Sequence, residues 1–368
     1  MKWLLKVIEK VKPNFEQGGK LQAFHPVFGA LEHFLFAPSA ATIGVPHIRD
    51  PLDLKRFMSM VIISVVPCVL AAFYLFGLRF LAMIIVSYAA GLTVEALFSI
   101  VRKEDINEGF FVTGILWPLI LPPTLPLWMV GLGVAFGVLI AKELFGGTGR
   151  NVFNPALVGR CFLALAYPKQ MAASFLEPSH DVAGRWLTWV DGSTADAISS
   201  ATPLTLAKQG EMFDTWDMFL GNVSGSAGET SALLIILGGG FLLLTRVANW
   251  RTVVAVIASF FALTATLVAC DKVTYNMPGV FGPVLWHVFA GGLLFGAFFM
   301  ATDPVTSPTT NAGKWMYGIL IGSVTVLIRN FTGYMEGVTF AILLGNIVAP
   351  ILDEIVISVR LRRLRSEG

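Results

Sequence analysis

Apolar stretches long enough to cross the ~30 Å hydrocarbon layer recur along the whole chain, and this repetition limits the possible folds more than any other feature. Such segments are read at about 56–77, 80–100, 109–122, 124–144, 153–167, 231–247, 252–270, 284–302, 314–330 and 337–358. In lipid every backbone N–H and C=O must be satisfied inside the protein, so unalternating runs of this length read as helices. The expected fold is an all-α integral membrane protein with about ten transmembrane helices. Segments 109–122 and 153–167 are short enough to be tilted, broken or re-entrant. A chain that is 55% hydrophobic and 14% charged is not an ordinary soluble globule. The spans also have the parity of two inverted five-helix halves, the first starting inside and the second outside.

Basic residues set the orientation. Most of the 26 Lys and Arg fall on one side: the N-terminal lysines, Arg49, Lys55, Arg56, Arg102, Lys103, Lys142, Arg150, Arg246, Arg251, Lys314 and the Arg360–Arg365 tail. Both termini are therefore expected to be cytoplasmic. The N-terminus, with Lys2, Lys6, Lys10 and Glu9 and no apolar core, does not read as a secretory signal. The organisation expected is a cytoplasmic region 1–54, a first membrane half 55–167, an external loop 168–230, a second half 231–358 and a basic tail 359–368. Cys68, Cys161 and Cys270 lie far apart in or beside apolar segments, and the five histidines are scattered. No iron–sulfur or zinc site is visible, and the cysteines read as small buried hydrophobes. A net charge of +2 gives no indication of nucleic-acid binding. Trp117, Trp128, Trp250, Trp286 and Trp315 read as interfacial anchors.

The external loop carries Asp196-Ala-Ile-Ser199-Ser200-Ala201-Thr202, of the form D-x-x-[ST]-[SG]-A-T. This is the acceptor pattern for flavin mononucleotide joined through a threonine phosphoester. Ser199, Ser200 and Ala201 keep the strand slim enough for a modifying enzyme's cleft, Thr202 offers the hydroxyl, and Asp196 orients the loop or is read by that enzyme. The alternative is a surface turn of small polar residues.

Two further polar segments lie on the cytoplasmic side. Residues 145–155 contain Gly146, Gly147 and Gly149, which let backbone N–H groups approach a ligand, beside Arg150, Asn151 and Asn154. They lack the Gly-Lys-Ser/Thr of a nucleotide-hydrolysing loop and read equally as a tight turn with Asn154 as helix cap. Residues 300–314 are polar and proline-broken around Asp303, which suits irregular backbone lining a site. Ionisable residues within spans are functional candidates because lipid makes them costly. Glu95, Asp303 and Asp353 are the sodium or proton candidates, with Arg160 as a cation that pairs with a carboxylate.

Five stretches in one order resemble the NqrB-type subunits of Na⁺-translocating NADH:quinone oxidoreductases, over nearly the whole chain: 45–56, 101–113, 142–160, 196–203 and 298–322. The related RnfD-type subunits of ferredoxin:NAD⁺ oxidoreductases share the heptad, but the lead-in 1–44 and the run Asp50–Arg56 favour the quinone reductase. Two departures are a longer 168–195 segment and Ser200, where glycine is commoner. The resemblance implies one member of a six-subunit translocase, with five partners (A, C, D, E and F), in a bacterial inner membrane, and a periplasmic 168–230 loop. It implies covalent FMN on Thr202, placed by a flavin transferase, and a non-covalent riboflavin on the cytoplasmic side, with Arg150, Asn151, Asn154 and Asp303 as candidate contacts. Electrons would pass from the FMN through the riboflavin to ubiquinone, reduced near Gly91, Leu92 and Glu95, with Na⁺ exported. A solute or ion channel without redox chemistry, or a scaffold, remains the alternative class.

Overall fold

The computed structural model describes residues 10–15, 28, 54–103, 109–175, 189, 202–209, 213–221, 223–270, 281–332, 334 and 336–367. Among these residues the protein is helical, without strands. The helices are α1 (Leu54–Phe76), α2 (Leu78–Arg102), α3 (Gly109–Leu119), α4 (Leu127–Ala141), α5 (Pro155–Ala166) and α6 (Pro168–Ala173). Two short helices follow, α7 (Pro203–Gln209) and α8 (Thr215–Leu220), then α9 (Ala232–Leu244) and α10 (Trp250–Ala269). Next come α11 (Phe281–Phe289), α12 (Leu293–Met300), α13 (Asn311–Phe331) and α14 (Val338–Glu367).

Each of the ten anticipated apolar segments contains a helix, and among the described residues five or six of these qualify as full membrane spans by length and composition. Five helices are long and apolar enough to span: α1, α2, α4 with its following turn, α10 and α14. The α11–α12 pair makes a sixth, bent by 65° at its break. Helices α3, α5 and α9 have 11, 12 and 13 residues, against about 20 for a straight crossing. Helix α13 has 21 residues, but Lys314, Arg329 and Asn330 dilute its apolar character.

The same pairings occur in each half. Helix α2 packs on α4 and α4 on α5, as α10 packs on α13 and α13 on α14; α1 meets α3 as α9 meets α12. Small residues bring these helices together at backbone level. A Cβ at Gly137 would run into the Pro155 carbonyl oxygen, and one at Gly159 would lie 2.5 Å from the Gly133 carbonyl oxygen. At Gly318 it would lie 2.8 Å from the Thr252 carbonyl oxygen. One continuous apolar core runs through both halves, and a smaller one (Leu204, Met218, Val223, Trp286, Ala290) lies beneath α7 and α8.

Helix ends inside the bundle are capped by side chains, because free N–H groups are costly there. Asn154 Oδ1 accepts from the Ala156 and Leu157 N–H groups, with Pro155 at the first helical position. Ser231, Asn249 and Thr310 cap α9, α10 and α13 in the same way. At the α11–α12 break Gly291 takes φ +64°. The carbonyls freed there accept from Arg329, whose Nη1 and Nη2 donate to His287 O at 2.8 Å and Ala290 O at 2.9 Å.

Two sequence readings need correction. Trp117 and Trp286 are fully buried rather than interfacial: their indole N–H groups donate to Val130 O and Phe213 O, and the Trp117 ring lies over Gly133 and Gly159. Trp128 and Trp250 are exposed. Of the cysteines only Cys68 is buried, while Cys270 is exposed. Part of the polar 168–230 segment packs inside the protein. Nearly all of 223–231 is buried, with the Ala227 and Gly228 N–H groups bonded to Leu121 O and Leu119 O.

Candidate functional site

Thr202 immediately precedes α7, which Pro203 opens with a preset φ. Its carbonyl accepts from the Thr205 and Leu206 N–H groups at 2.8 and 3.0 Å, and its Oγ1 lies 2.8 Å from Thr205 Oγ1. The hydroxyl is thus held at a helix start, half-buried. Asp196, Ser199, Ser200 and Ala201 lie outside the described residues.

Thr202 and Thr205 line a cavity of about 580 Å³. Its apolar wall includes Met171, Phe175, Leu204, Met218, Phe289 and Phe340. Its polar end is Arg160, Glu229, Glu336, Ser226 and Thr339. Arg160 Nη1 donates to Glu229 Oε1 at 3.0 Å, and Nη2 to Ser226 Oγ at 3.1 Å and to Glu336 Oε2. The expected pairing of Arg160 with a carboxylate is met twice over, by residues on the segments before α9 and α14. Thr339 is buried, and its Oγ1 has no hydrogen-bond partner among the described residues. A buried hydroxyl of this kind calls for water or a ligand group. The volume lies within the ~300–1,000 Å³ typical of ligand pockets. Volume, orphan hydroxyl and the threonine at its edge fit a ring system tethered at Thr202.

A second cavity, of about 80 Å³, lies at the other end of α5. Asn151, Asn154 and Asp303 line it with Lys142, Thr148 and Thr302. Three of the four candidate riboflavin contacts are thereby brought together. Arg150 is not among them; it is exposed and its Cδ lies against Gly146. Asp303 Oδ1 accepts from the Val305 N–H at 3.2 Å and Oδ2 from Thr306 Oγ1 at 3.0 Å. Its residue surface is half-open onto the cavity, while protein encloses the carboxylate elsewhere. That enclosure raises its pKa, against the lowering effect of the two hydrogen bonds. A riboflavin ring does not fit 80 Å³ in this arrangement, which is below the usual range of ligand pockets.

The remaining candidates are dispersed. Glu95 is buried and ion-paired with Lys142, itself buried, at the end of α4. Arg102, two turns along α2, pairs with Glu143 at 2.9 Å, so adjacent residues at the end of α4 clasp α2 twice. Leu92 is half-buried, and Gly91 is a packing position, since a Cβ there would lie 2.6 Å from Phe110 Cε2. Asp353 accepts from the Thr309 N–H (2.7 Å), Thr309 Oγ1 (2.9 Å), the Thr310 N–H (3.0 Å) and Thr310 Oγ1. It fastens α14 to the start of α13. Sequence reasoning missed Lys142, Glu229, Glu336 and Thr339; only Arg160, a cation inside a span, signalled that buried carboxylates must exist.

Comparison with known proteins places the chain in a family. Residues 41–362 match the NQR2, RnfD, RnfE family. The B-type subunit of the Na⁺-translocating NADH-quinone reductase of Klebsiella pneumoniae (strain 342) is 40% identical, over 98% of this chain and 99% of the relative. The subunits of the same name from Azotobacter vinelandii (strain DJ / ATCC BAA-1303) and Yersinia pestis are each 38% identical. They cover 97% and 98% of this chain, and 97% and 98% of their own lengths. The chain belongs to the NQR2, RnfD, RnfE family.

Proposed function

We propose that the chain is the membrane redox subunit of a sodium-pumping NADH:quinone reductase, with FMN esterified to Thr202 and its ring in the 580 Å³ cavity. The observation that carries this reading is the Thr202 hydroxyl at the edge of a cavity with a buried, partly unsatisfied polar end. The names of the relatives support the choice of complex over an RnfD-type subunit, and the acceptor heptad is unexplained by a channel or scaffold. A bound flavin would supply stepwise electron transfer. The chain's own groups would hold it: Thr202 as anchor, the Met and Phe wall excluding water, and the Arg160 end receiving polar atoms.

In the same reading both termini are cytoplasmic and Thr202 faces the periplasm of a bacterial inner membrane. The other five subunits supply the NADH-derived electrons, ubiquinone accepts them, and a flavin transferase matures the chain. Asp303 is the carboxylate freest to serve sodium, since Glu95 is neutralised by Lys142 and Asp353 is fastened to Thr309 and Thr310. No step is assigned to riboflavin, because the second cavity does not accommodate it in this arrangement.

The test is in-gel fluorescence of the denatured subunit after co-expression with a flavin transferase. Wild type should fluoresce and Thr202→Ala should not, while still inserting in the membrane. Fluorescence in the mutant, or an unmodified Thr202 peptide from wild type, would sink the assignment. Labelling from outside a cell should reach a cysteine at Trp216 and fail at Ser366; the reverse would overturn the orientation.

A further inference from the structure

Two carboxylates share one guanidinium at the closed end of the Thr202 cavity. Glu229 and Arg160 are almost fully buried and the Glu336 side chain is 19% exposed. The other charged or titratable groups nearby come from α11, α13 and the segment before α14. Arg329, on α13, donates to the His287 and Ala290 carbonyls and so answers the partial negative charge at the end of α11. Its Nη2 and Glu336 Oε1 both approach Gly291. His287 is on α11, its ring against Trp286, and Tyr334 lines the cavity wall. Glu229 is the deeper carboxyl, and ionising it puts a second negative charge against a guanidinium that already serves Glu336. Burial of such a charge costs several kcal/mol, and two neighbouring carboxyls avoid it when one of them keeps a proton.

We propose that Glu229 and Glu336 share one exchangeable proton and form a proton-holding site on the cavity that Thr202 opens onto. A second observation points the same way. Thr339, from α14, lines the cavity with a buried Oγ1 that no group among the described residues satisfies, so the polar end takes a water or ligand atom through which a proton can exchange. Glu229 lies in the segment ahead of α9, where burial first, and then the neighbouring Glu336, push its pKa up to about 8, against the lowering effect of Arg160. Below that pH the pair holds the proton; above it the proton leaves to solvent through the cavity. The folded chain then binds one more proton than the unfolded chain between the ordinary carboxyl range and about pH 8, so stability falls as pH rises through that window. The site places a proton beside whatever group Thr202 carries, a role that rests on the flavin reading, whereas the shared proton does not.

Infrared difference spectroscopy of the assembled complex, stepped across pH, tests this. Wild type should show a carboxylic-acid C=O band that disappears as pH rises past about 8. Glu229→Gln should abolish it. Glu336→Gln, by removing the neighbouring negative charge, should move its loss to lower pH by about one unit or more. If Glu229→Gln fails to assemble, Glu229→Asp keeps the carboxyl and should displace the band. Thr202→Ala should leave the band in place, so the flavin reading and the proton site can fail separately. A wild-type spectrum without a titrating band, a band unmoved by Glu229→Asp, or one in Glu336→Gln that titrates as in wild type would overturn the proposal.

Discussion

Replacing Lys142 with Met should strongly destabilise the chain, and replacing Glu95 with Gln as well should restore much of the loss. Both side chains are almost fully buried, 4% and 3% exposed, so water screens neither charge. Removing one partner of a buried pair leaves the other charge unanswered, at a cost of about 3–5 kcal/mol. Removing both leaves an uncharged amide beside a thioether, which removes the unanswered charge at the lesser cost of a buried amide, about 1–3 kcal/mol. The coupling between the two sites should therefore exceed about 2 kcal/mol, well above the ~0.5 kcal/mol scatter of independent sites. Reversible unfolding of the full-length chain in mixed detergent micelles, for wild type, both single variants and the double, gives the cycle directly. The same variants, assembled into the complex, separate a structural pair from an ion site. If Glu95 ligates sodium, Lys142→Met removes a competing cation and should lower the sodium concentration for half-maximal quinone reduction. If the pair only fastens α2 to α4, that concentration should stay put. Additive single-variant costs would refute the buried-pair argument itself.

Two further outcomes follow from the packing. Gly137→Val should abolish stable insertion, because its Cβ meets the Pro155 carbonyl oxygen and neither backbone can retreat without separating α4 from α5; protease resistance in membranes equal to wild type would contradict this. Asp353→Ala removes the acceptor for Thr309 and Thr310 and should cost about 1–3 kcal/mol in the same micelle assay, with Asp353→Asn recovering only part, since an amide oxygen is the weaker acceptor.

The apolar segments are legible because lipid imposes one rule on the backbone, and length with hydropathy detects it. Hydropathy does not show where a helix breaks. The segment 284–302 reads as one span, yet Gly291 and the Arg329 guanidinium divide the region into two helices bent by 65°. The acceptor heptad is legible as a motif, but the cavity beside Thr202 is not, since its walls come from α5, α8, the segment before α9, α11 and α14. Glu229 illustrates why. In sequence it is one acid among several in a polar loop, whereas in the fold its segment is buried against the turn after α3 and meets Arg160, 69 residues away. Lys142 reads in sequence as one more cytoplasmic basic residue for the same reason: charge counting gives sidedness, not partners.

The two cavities sit on shared elements. On α5, Pro155 and Ala156 line the smaller cavity and Arg160 and Ala164 the larger; on the broken span, Phe299 lines one and Phe289 to Gly291 the other. Four residues of helix separate Ala156 from Arg160, roughly 6 Å of rise. The close approach of Gly133 and Gly137 to α5 keeps that helix from sliding against α4. Charges placed roughly 10 Å apart across this wall would interact by about 1.7 kcal/mol at an effective dielectric near 20, against about 0.4 kcal/mol in water. On the α4 side, Trp117 and Leu163 pack against Gly133. At that separation a charge gained or lost at one site would change an equilibrium constant at the other by roughly a factor of ten through the field alone. On the flavin and sodium reading proposed above, such a field would couple electron arrival at one polar site to ion affinity at the other without a moving part in this chain.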